Sequence, residues 1–472
     1  MSTRTDSPPV RMQLFYGAGG IANGILSNGL SFFLLIYYNL VIGLPAETVG
    51  FALFVALMFD AVSDPVVGYL SDNTRSRAGK RHPFMYVAII PVAFLFWFIW
   101  NPPESLTSQT QLFWFLLITT ILLRTAMTLF DVPHNAMVPE LTKNYSGRTM
   151  LAGLKVSVTW IAGQIMVIAM YVIWLVPTDT MPYGILNQAG YQEAGLVGAI
   201  IIALAIAITA IGTRRWQDRM YDISHVATYS ASGFFSQFIA AFKLPALRAI
   251  FISSAIFAVG AGIGAALWTY LTSFFWELNN DQISLILVAN LIGALIAGAT
   301  LKGIARFGDK KSSAIFLSLL SAVVGVAPYM LREIGFFPAN GTELLIWLLF
   351  IHGILQIILI VWTSSLLTSM TADVVELGIK TNGYQNEGII TSVITFVLKA
   401  GTAGGLATSG LFLAFVGFPE APDQSNLTAE VTRSLGWNYA CLSLVVYLAS
   451  VVALMFYRLD KAQFDELVAI RD

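Results

Sequence analysis

The chain is poor in charged residues and nearly free of cysteine. Of its 472 residues only 11% are charged, whereas soluble domains contain about 25%. The formal net charge of −1 gives no global field that would attract nucleic acid. Cys441 is the only cysteine, so internal disulfides and a cysteine-ligated zinc site are excluded. Because 57% of the residues are hydrophobic, the composition indicates an integral membrane protein.

Motifs of several functional classes are also missing. The four histidines are scattered, offer neither an HExxH motif nor a serine–histidine pair, and are accompanied by no Walker A sequence. These absences argue against a membrane enzyme and an ATP-driven pump, and repeated channel filter motifs are absent too. No cofactor is expected. The polar start, MSTRTDSPPVRMQ, does not resemble a cleaved signal peptide, so the first apolar segment is expected to act as the membrane signal.

Long apolar segments follow one another along the chain. A membrane-spanning helix needs about 20 mostly apolar residues, and no stretch alternates as the strands of a β-barrel do. The sequence therefore predicts an all-α membrane protein with twelve transmembrane helices. The predicted spans are 14–42, 46–71, 83–101, 110–136, 151–177, 194–213, 246–276, 281–305, 312–331, 342–371, 386–416 and 434–457.

Basic residues are distributed unevenly between the two sides of this predicted arrangement. One set of alternate loops, together with the termini, holds 21 of the 26 lysines and arginines. The opposite loops hold only Arg332 and Arg433, and the remaining three basic residues fall within spans. The positive-inside rule then predicts that both termini are cytoplasmic, which an even number of spans allows.

The two halves of the chain carry similar loops. GYLSDNTRSRAGKRHP follows the second span and LKGIARFGDKKSS follows the eighth, so each half has a glycine and a basic cluster at the same place. This repetition predicts two pseudo-symmetric six-helix bundles, an architecture typical of transporters with a ligand site between the halves. The predicted parts are an N-terminal bundle at 1–213, a cytoplasmic linker at 214–245, a C-terminal bundle at 246–457 and a cytoplasmic tail at 458–472.

Two carboxylates stand in the apolar part of the second span. Asp60 and Asp64 are four residues apart, hence about 40° apart around a helix and one turn along it. Buried carboxylates in a membrane need hydration, a partner or neutralisation. A proton or a hard cation such as Na⁺ would relieve their mutual repulsion, which favours a cation site. The alternative is a pair of carboxylates bonded to backbone groups or to the basic loop nearby.

Several motifs resemble one known family. GYLSDNTRSRAGKR resembles the signature loop of the major facilitator superfamily, and the preceding FDAVSDPVVG is similar to the second helix of its glycoside–pentoside–hexuronide:cation symporter family. FDVPHNAMVPEL at 130–141, SGRTMLAGLKV at the start of the fifth span, and the stretch at 371–405 are similar to further segments of that family. The resemblance covers nearly the whole chain in order and implies the major facilitator fold.

The resemblance implies roles for particular residues in the spans. It implies that Asp60 and Asp64 bind the coupling cation and that Lys399, a lysine in an apolar stretch, lies close to them and competes with or replaces that cation. A lysine that snorkels to the membrane surface is the alternative. It also implies a substrate role for Asp131, while a structural ion pair between Asp131 and Lys155 is the alternative. The other candidate substrate-binding residues are Lys155, Asn23, His134, Asn135 and Trp362. His134 could instead be a structural histidine, and Trp362 a packing residue.

The first span departs from the pattern of galactoside carriers, which have an acidic residue there. The matching stretch YGAGGIANGILSNG has no acid, and Ala22 falls near that position. The substrate class is therefore open between a sugar or glycoside and an amphiphile such as a lysolipid.

The loop after the second span predicts a gate. Its basic residues can pair with acids or helix C-termini, and a glycine permits a tight turn. A solvated or purely structural set of ion pairs is the alternative. The candidate gating residues are Asp72, Arg75, Arg77, Gly79, Lys80, Arg81, Asp373 and Glu376.

Taken together, these features predict a cation-coupled secondary symporter that works by alternating access. The coupling ion is expected to be Na⁺ or a proton, and the expected partners are a small-molecule substrate and the lipid bilayer. The chain is expected to act as a monomer in a cell membrane, in keeping with a bacterial inner membrane.

Overall fold

The computed structural model describes residues 9–142, 145–177, 183–216, 245–304, 309–382, 387–419 and 427–457. This part of the chain is almost wholly helical and contains no β-strand. Its twelve long helices are α1 (Val10–Gly29), α2 (Ala46–Asn73), α3 (His82–Ile99), α4 (Gln109–Ala136), α5 (Tyr145–Ala169), α6 (Gln188–Arg214), α7 (Pro245–Tyr270), α8 (Asn280–Ile304), α9 (Lys310–Glu333), α10 (Glu343–Asn382), α11 (Glu387–Phe415) and α12 (Ala429–Met455).

Eleven of the helices, α2 to α12, are long and apolar enough to cross a membrane. The first helix, α1, is rich in glycine and asparagine, and it continues beyond Gly29 through π-helical turns at Leu30–Leu34 and Tyr37–Val41. Similar turns extend α5 over Met170–Trp174 and α7 over Leu271–Phe275. The predicted all-α membrane fold with twelve long helices is confirmed.

Two helix boundaries differ from the predicted ones because polar residues extend the helix beyond the apolar run. Thr428 caps α12 by accepting a hydrogen bond from the Val431 N–H, so this helix begins five residues before the predicted 434. At the other extreme, α10 continues to Asn382 although the sequence predicts an end at 371. The added stretch is polar but contains good helix formers, and apolarity marks where a span ends rather than where a helix ends.

The chain divides into two compact units. One comprises Met1–Leu44 and Phe51–Ala231 and contains α1, most of α2, and α3 to α6; the other comprises Pro45–Gly50 and Ser232–Asp472 and contains α7 to α12. Most of the predicted linker at 214–245 and the tail at 458–472 lie outside the described residues.

Each unit has a tight glycine-mediated helix pair at the same place in its helix order. In the first unit α1 packs closely on α5, and a Cβ at Gly24 would lie 2.3 Å from the backbone oxygen of Thr159. In the second unit α7 packs closely on α11, and a Cβ at Gly405 would lie 2.4 Å from the backbone oxygen of Val259. Only glycine allows backbones to approach this closely.

The C-terminal end of α1 closes with a particular backbone pattern. The Ile42 N–H donates to the Tyr37 carbonyl over 3.0 Å, and the Leu44 N–H donates to the Tyr38 carbonyl over 2.9 Å. Gly43, between the two donors, has a φ of +85°, in the left-handed region that glycine adopts without strain.

The end of α7 repeats this pattern. The Trp276 N–H donates to the Leu271 carbonyl over 2.9 Å, and the Leu278 N–H donates to the Thr272 carbonyl over 3.0 Å. Glu277 takes the place of the glycine and has a φ of +50°. The two units therefore share a backbone design that their sequences hardly reveal.

Candidate functional site

The carboxylates of Asp60 and Asp64 meet the hydroxyl of one threonine. Thr128 Oγ1 on α4 lies 2.9 Å from Asp60 Oδ1 and 3.1 Å from Asp64 Oδ1 on α2. A hydroxyl has one hydrogen, so Thr128 donates to one carboxylate at a time. Asp60 is buried and Asp64 is half-buried. Three oxygens from two helices therefore converge at this point, and oxygen is the ligand that hard cations prefer.

Prolines in α2 and α4 leave two backbone carbonyls close in sequence to Asp60 and Thr128 without their usual helical donors. Pro65 lies inside α2 and Pro133 lies inside α4. Proline has no N–H, so the carbonyls of Ala61 and Leu129 lose their usual helical donors. Each of these carbonyls belongs to the residue next to Asp60 or Thr128. The described residues include no cluster of three or more histidine, cysteine or acidic side chains that could hold a metal ion, so a cation here would depend on two carboxylates and neutral oxygens.

An arginine lies beside the carboxylate pair. Arg124 Nη1 is 3.7 Å from Asp60 Oδ2, and the side chains of Arg124 and Asp60 are 16% and 7% exposed. The Arg124 Nε is buried and has no hydrogen-bond partner within the described part of the chain. The contact with Asp60 is thus electrostatic and long, rather than the bidentate pairing that arginine forms with carboxylates elsewhere.

A second polar cluster joins α1, α4 and α5. Asp131 Oδ1 accepts hydrogen bonds from Lys155 Nζ at 2.6 Å and from Asn23 Nδ2 at 2.7 Å. Asp131 Oδ2 accepts one from Asn135 Nδ2 at 3.1 Å, and Lys155 Nζ also donates to Asn135 Oδ1 at 2.5 Å. Asp131 and Lys155 are 32% and 12% exposed. Four of the predicted substrate-binding residues therefore form one hydrogen-bonded group.

One face of α4 links the two clusters. Arg124, Thr128, Asp131 and Asn135 follow one another at intervals of four, three and four residues, the spacing of a single helical stripe. From first to last this stripe covers about 16 Å along the helix. The carboxylate pair and the Asp131–Lys155 cluster are therefore held by the same face of one rigid helix.

His134 packs against α1. Its Nε2 lies 2.9 Å from the carbonyl oxygen of Tyr16, so Nε2 carries the hydrogen and donates it. Its ring stacks on Phe130 with a centroid separation of 5.0 Å, and the side chain is fully buried. The Nδ1 atom has no hydrogen-bond partner among the described residues. These contacts are of the kind that the structural alternative expects, and a substrate role for His134 stays a prediction.

Two further predicted site residues belong to the second unit. Lys399 is half-buried in α11. Trp362 is half-buried in α10, and its Nε1 donates to the carbonyl of Ala297 on α8 over 3.3 Å. The indole N–H of Trp362 thus ties two helices of that unit together.

The loop after α2 is organised by a buried arginine. Arg81 Nη1 donates to Ser71 Oγ over 2.7 Å and pairs with Asp72, and Arg81 Nε donates to Glu140 Oε1 over 3.1 Å. Arg81 and Glu140 are 7% and 9% exposed. Burial raises the pKa of the Glu140 carboxyl, and the Arg81 guanidinium opposes that shift. The arginine therefore fastens the end of α2 to the segment that follows α4.

The rest of this loop is a compact turn. Gly79 has a φ of +82°, and its carbonyl accepts a hydrogen bond from Ser76 Oγ over 2.8 Å. Arg75 and Arg77 are exposed, and Lys80 is half-buried. The side chains of Asp373 and Glu376 lie outside the described part of the structure, although both residues belong to α10.

Sequence reasoning did not single out two polar partners. Thr128 is 64 and 68 residues from the carboxylates that it binds, and Glu140 is 59 residues from Arg81. A threonine or glutamate in such a stretch gives no local signal of a distant partner. For Thr128 one signal was available, because it shares the helical stripe of Arg124 and Asp131.

Comparison with known proteins agrees with the family resemblance. The sequence profile of the MFS/sugar transport protein family matches residues 15–461. An isoprimeverose transporter of Lactiplantibacillus pentosus is 23% identical, over 95% of this chain and 88% of that protein. An uncharacterized symporter of Synechocystis sp. is 33% identical, but the match covers 44% of this chain and only 37% of that protein.

A solved structure supports the fold. The crystal structure of a D-xylose–proton symporter superimposes with a TM-score of 0.58 at 14% identity, covering 93% of this chain and 97% of that one. Transporters named for sugars or glycosides recur among the relatives, which does not favour the amphiphile alternative. With its twelve helices and a family match over nearly its whole length, this multi-pass membrane protein belongs to the MFS/sugar transport protein family, and its predicted place among the glycoside–pentoside–hexuronide:cation symporters is confirmed.

Proposed function

We propose that the protein is a cation-coupled secondary symporter that imports a sugar or glycoside-like solute by alternating access. The observation that carries this proposal is the polar stripe of α4. The N-terminal members of the stripe, Arg124 and Thr128, contact the carboxylates of α2. The C-terminal members, Asp131 and Asn135, belong to the cluster with Lys155. One helix face therefore serves both a cation site and a solute site.

The cation binds at the carboxylate pair in this account. Asp60 and Asp64 supply anionic oxygens and Thr128 supplies a neutral one at distances of 2.9 and 3.1 Å from them. Either Na⁺ or a proton would reduce the repulsion between the carboxylates. Cation binding thereby changes the free energy of conformations in which this pair is buried, and such a difference is what coupling requires.

The solute binds at the second cluster. A carboxylate accepts two hydrogen bonds from adjacent hydroxyls, and Asp131 is exposed enough to exchange its present donors for those of a sugar. Lys155 balances the charge of Asp131, so the cluster suits an uncharged polyol rather than a second anion. The family match and the isoprimeverose transporter among the relatives support a sugar or glycoside.

The remaining predictions complete this proposal. Lys399 competes with the coupling cation at the carboxylates, and the loop from Asp72 to Arg81 contributes to gating with Asp373 and Glu376. Both termini are cytoplasmic, by the basic-residue asymmetry of the loops. The protein acts as a monomer in a bacterial cell membrane, which the bacterial relatives support.

Uptake into proteoliposomes tests the proposal. A panel of glycosides, pentosides and hexuronides would be driven by an inward Na⁺ gradient or an inward proton gradient, in the native protein and in Asp64→Asn. The matched control is Asp309→Asn, because Asp309 caps α9 through the Ser312 N–H and asparagine caps equally well.

We expect one gradient to drive accumulation in the native protein and in Asp309→Asn, and accumulation to be lost in Asp64→Asn. Gradient-driven accumulation that persists in Asp64→Asn would refute the cation site. Uptake that equilibrates without accumulation under either gradient would refute cation coupling altogether.

A further inference from the structure

Arg124 is a charged residue that the proposed transport cycle does not use, and it stands beside the proposed cation site. Arg124 Nη1 lies 3.7 Å from Asp60 Oδ2, on the opposite oxygen from the one that Thr128 contacts. Asp60 is therefore flanked by a fixed cation on one side and by the shared hydroxyl on the other. Asp64 contacts the same hydroxyl at 3.1 Å.

Arg124 approaches Asp60 without forming a strong bidentate ion pair. Its guanidinium reaches Asp60 with one terminal nitrogen, while its buried Nε finds no hydrogen-bond partner within the described residues. A buried guanidinium retains its charge under all ordinary conditions. Arg124 is thus a permanent positive charge next to two carboxylates, and its own hydrogen-bonding capacity is left partly unused.

Arg124 also belongs to the same unit as both carboxylates. It lies on α4, four residues before Thr128, and α4 and the relevant part of α2 are in the first unit. Lys399, the other candidate counter-charge, lies in the second unit. In a transporter whose units move against each other, only a charge within the same unit stays beside the carboxylates throughout.

We propose that Arg124 acts as a built-in cation of the carboxylate pair, compensating Asp60 permanently and lowering the affinity of the site for a metal cation. This inference rests on the proposed function, because it assumes that Asp60 and Asp64 form the cation site. With both carboxylates ionised, Asp60, Asp64 and Arg124 together carry a formal charge of −1, so Arg124 weakens the attraction of the pair for a metal cation. Without Arg124 the two carboxylates carry −2.

The inference predicts that removing the arginine charge strengthens metal-ion binding. At an effective dielectric constant of about 20, a unit charge at roughly 6 Å changes affinity by on the order of a hundredfold, and relaxation leaves at least about tenfold. The test measures the Na⁺ dependence of the thermal unfolding temperature of the full chain in detergent, with choline chloride holding ionic strength constant. A ligand that binds only the folded state raises that temperature according to its affinity.

Four proteins make the comparison. Arg124→Gln should bind Na⁺ at least about tenfold more tightly than the native protein, or gain a Na⁺ response that the native protein lacks. Arg124→Lys retains the charge and should stay within about threefold of the native affinity. Arg332→Gln is the matched control, because Arg332 is a half-buried arginine of the second unit that bonds the Pro338 carbonyl. It should leave Na⁺ affinity unchanged.

A second comparison keeps the inference testable if Arg124→Gln does not fold. Removing both partners of an ion pair is milder than leaving one buried charge alone. The double variant Asp60→Asn/Arg124→Gln should therefore bind Na⁺ at least about tenfold more tightly than Asp60→Asn, in which the Arg124 charge remains near Asp64.

Equal or weaker Na⁺ affinity on loss of the arginine, in either comparison, would overturn the inference. So would the absence of any Na⁺ response in all of these proteins. The proposed symport would survive both results if uptake were driven by a proton gradient and lost in Asp64→Asn, so the two proposals fail separately.

Discussion

The two units share backbone devices but differ in where they place charge. In the first unit, Asp60, Asp64, Arg124, Asp131 and Lys155 stand within the spans and make polar contacts between helices. In the described part of the second unit, Lys399 is the charged residue that lies well inside a span. Yet both units pack their first and fifth helices through glycine and end their first helices with the same pattern. The two units therefore share their helix packing, whereas the described charged residues that link helices inside the spans are concentrated in the first unit.

The largest expected effect concerns buried and exposed ion pairs. Arg81 and Glu140 in the first unit are nearly inaccessible, so Arg81→Gln should strand a buried carboxylate and destabilise the protein by about 3–5 kcal/mol. Arg433 in the second unit is 72% exposed, so solvent screens its ion pair and Arg433→Gln should lower stability far less than Arg81→Gln. Thermal unfolding of both variants measures the difference. Equal losses would show that burial does not distinguish these two pairs.

The next largest effect is on the uptake rate, which should depend more on Asp131 in the first unit than on Trp362 in the second. Asp131→Asn removes a carboxylate that accepts from Lys155 and Asn23, and loss of charged hydrogen bonds should lower the initial uptake rate by about a hundredfold. Trp362→Phe removes one bond to the Ala297 carbonyl and should lower that rate by less than about tenfold. A larger loss in Trp362→Phe would move the solute site toward the second unit.

A smaller and equal effect is expected at the glycine contacts. Gly24→Ala and Gly405→Ala each place a Cβ within 2.4 Å of a backbone oxygen, so each should destabilise the protein by about 1–3 kcal/mol. Gly153→Ala, which has nothing within 4 Å of its Cβ, is the control. If only one of Gly24→Ala and Gly405→Ala lowered the unfolding temperature, the two glycine contacts would not be equivalent.

The smallest effect concerns the matching helix ends. Glu277 has a left-handed backbone where the first unit has Gly43, so Glu277→Gly should relieve strain and stabilise the protein by about 1 kcal/mol. Gly43→Ala should destabilise it by a similar amount, since no neighbour crowds that Cβ and only the backbone is strained. Thermal unfolding of the two variants gives the sign, and shifts in the same direction would show that the two ends are not equivalent.

The sequence was informative where a signal is local. Apolar run length predicted the twelve helices, and the four-residue spacing of Asp60 and Asp64 predicted that they share a face, which their common contact with Thr128 bears out geometrically. Partners far apart in sequence were not predictable. The described partners of Arg81, Asp72 and Glu140, lie in its own unit, and pairing of the basic loop with Asp373 stays a prediction because that side chain lies outside the described residues.

Asn23 shows what the sequence of the first span did not reveal. The lack of an acid in the first span left the substrate class open, but the structure places the Asn23 amide 2.7 Å from Asp131. Asn23, the neighbour of Ala22, thus supplies an amide donor, and the polar cluster around Asp131 forms without an acid in the first span. The C-terminal end of α10 was missed for a different reason. The predicted span ended at 371, where the apolar run stops, but the polar residues that follow remain helical to Asn382.

Substrate-driven ion flux tests the central claim most directly. Proteoliposomes without any ion gradient would receive the sugar that the uptake panel identifies, and entry of Na⁺ or protons would be recorded in the native protein and in Asp64→Asn. We predict that the sugar gradient drives cation entry in the native protein and that this entry disappears in Asp64→Asn. Sugar entry without cation movement in the native protein would contradict the account, because the two clusters on α4 would then be uncoupled.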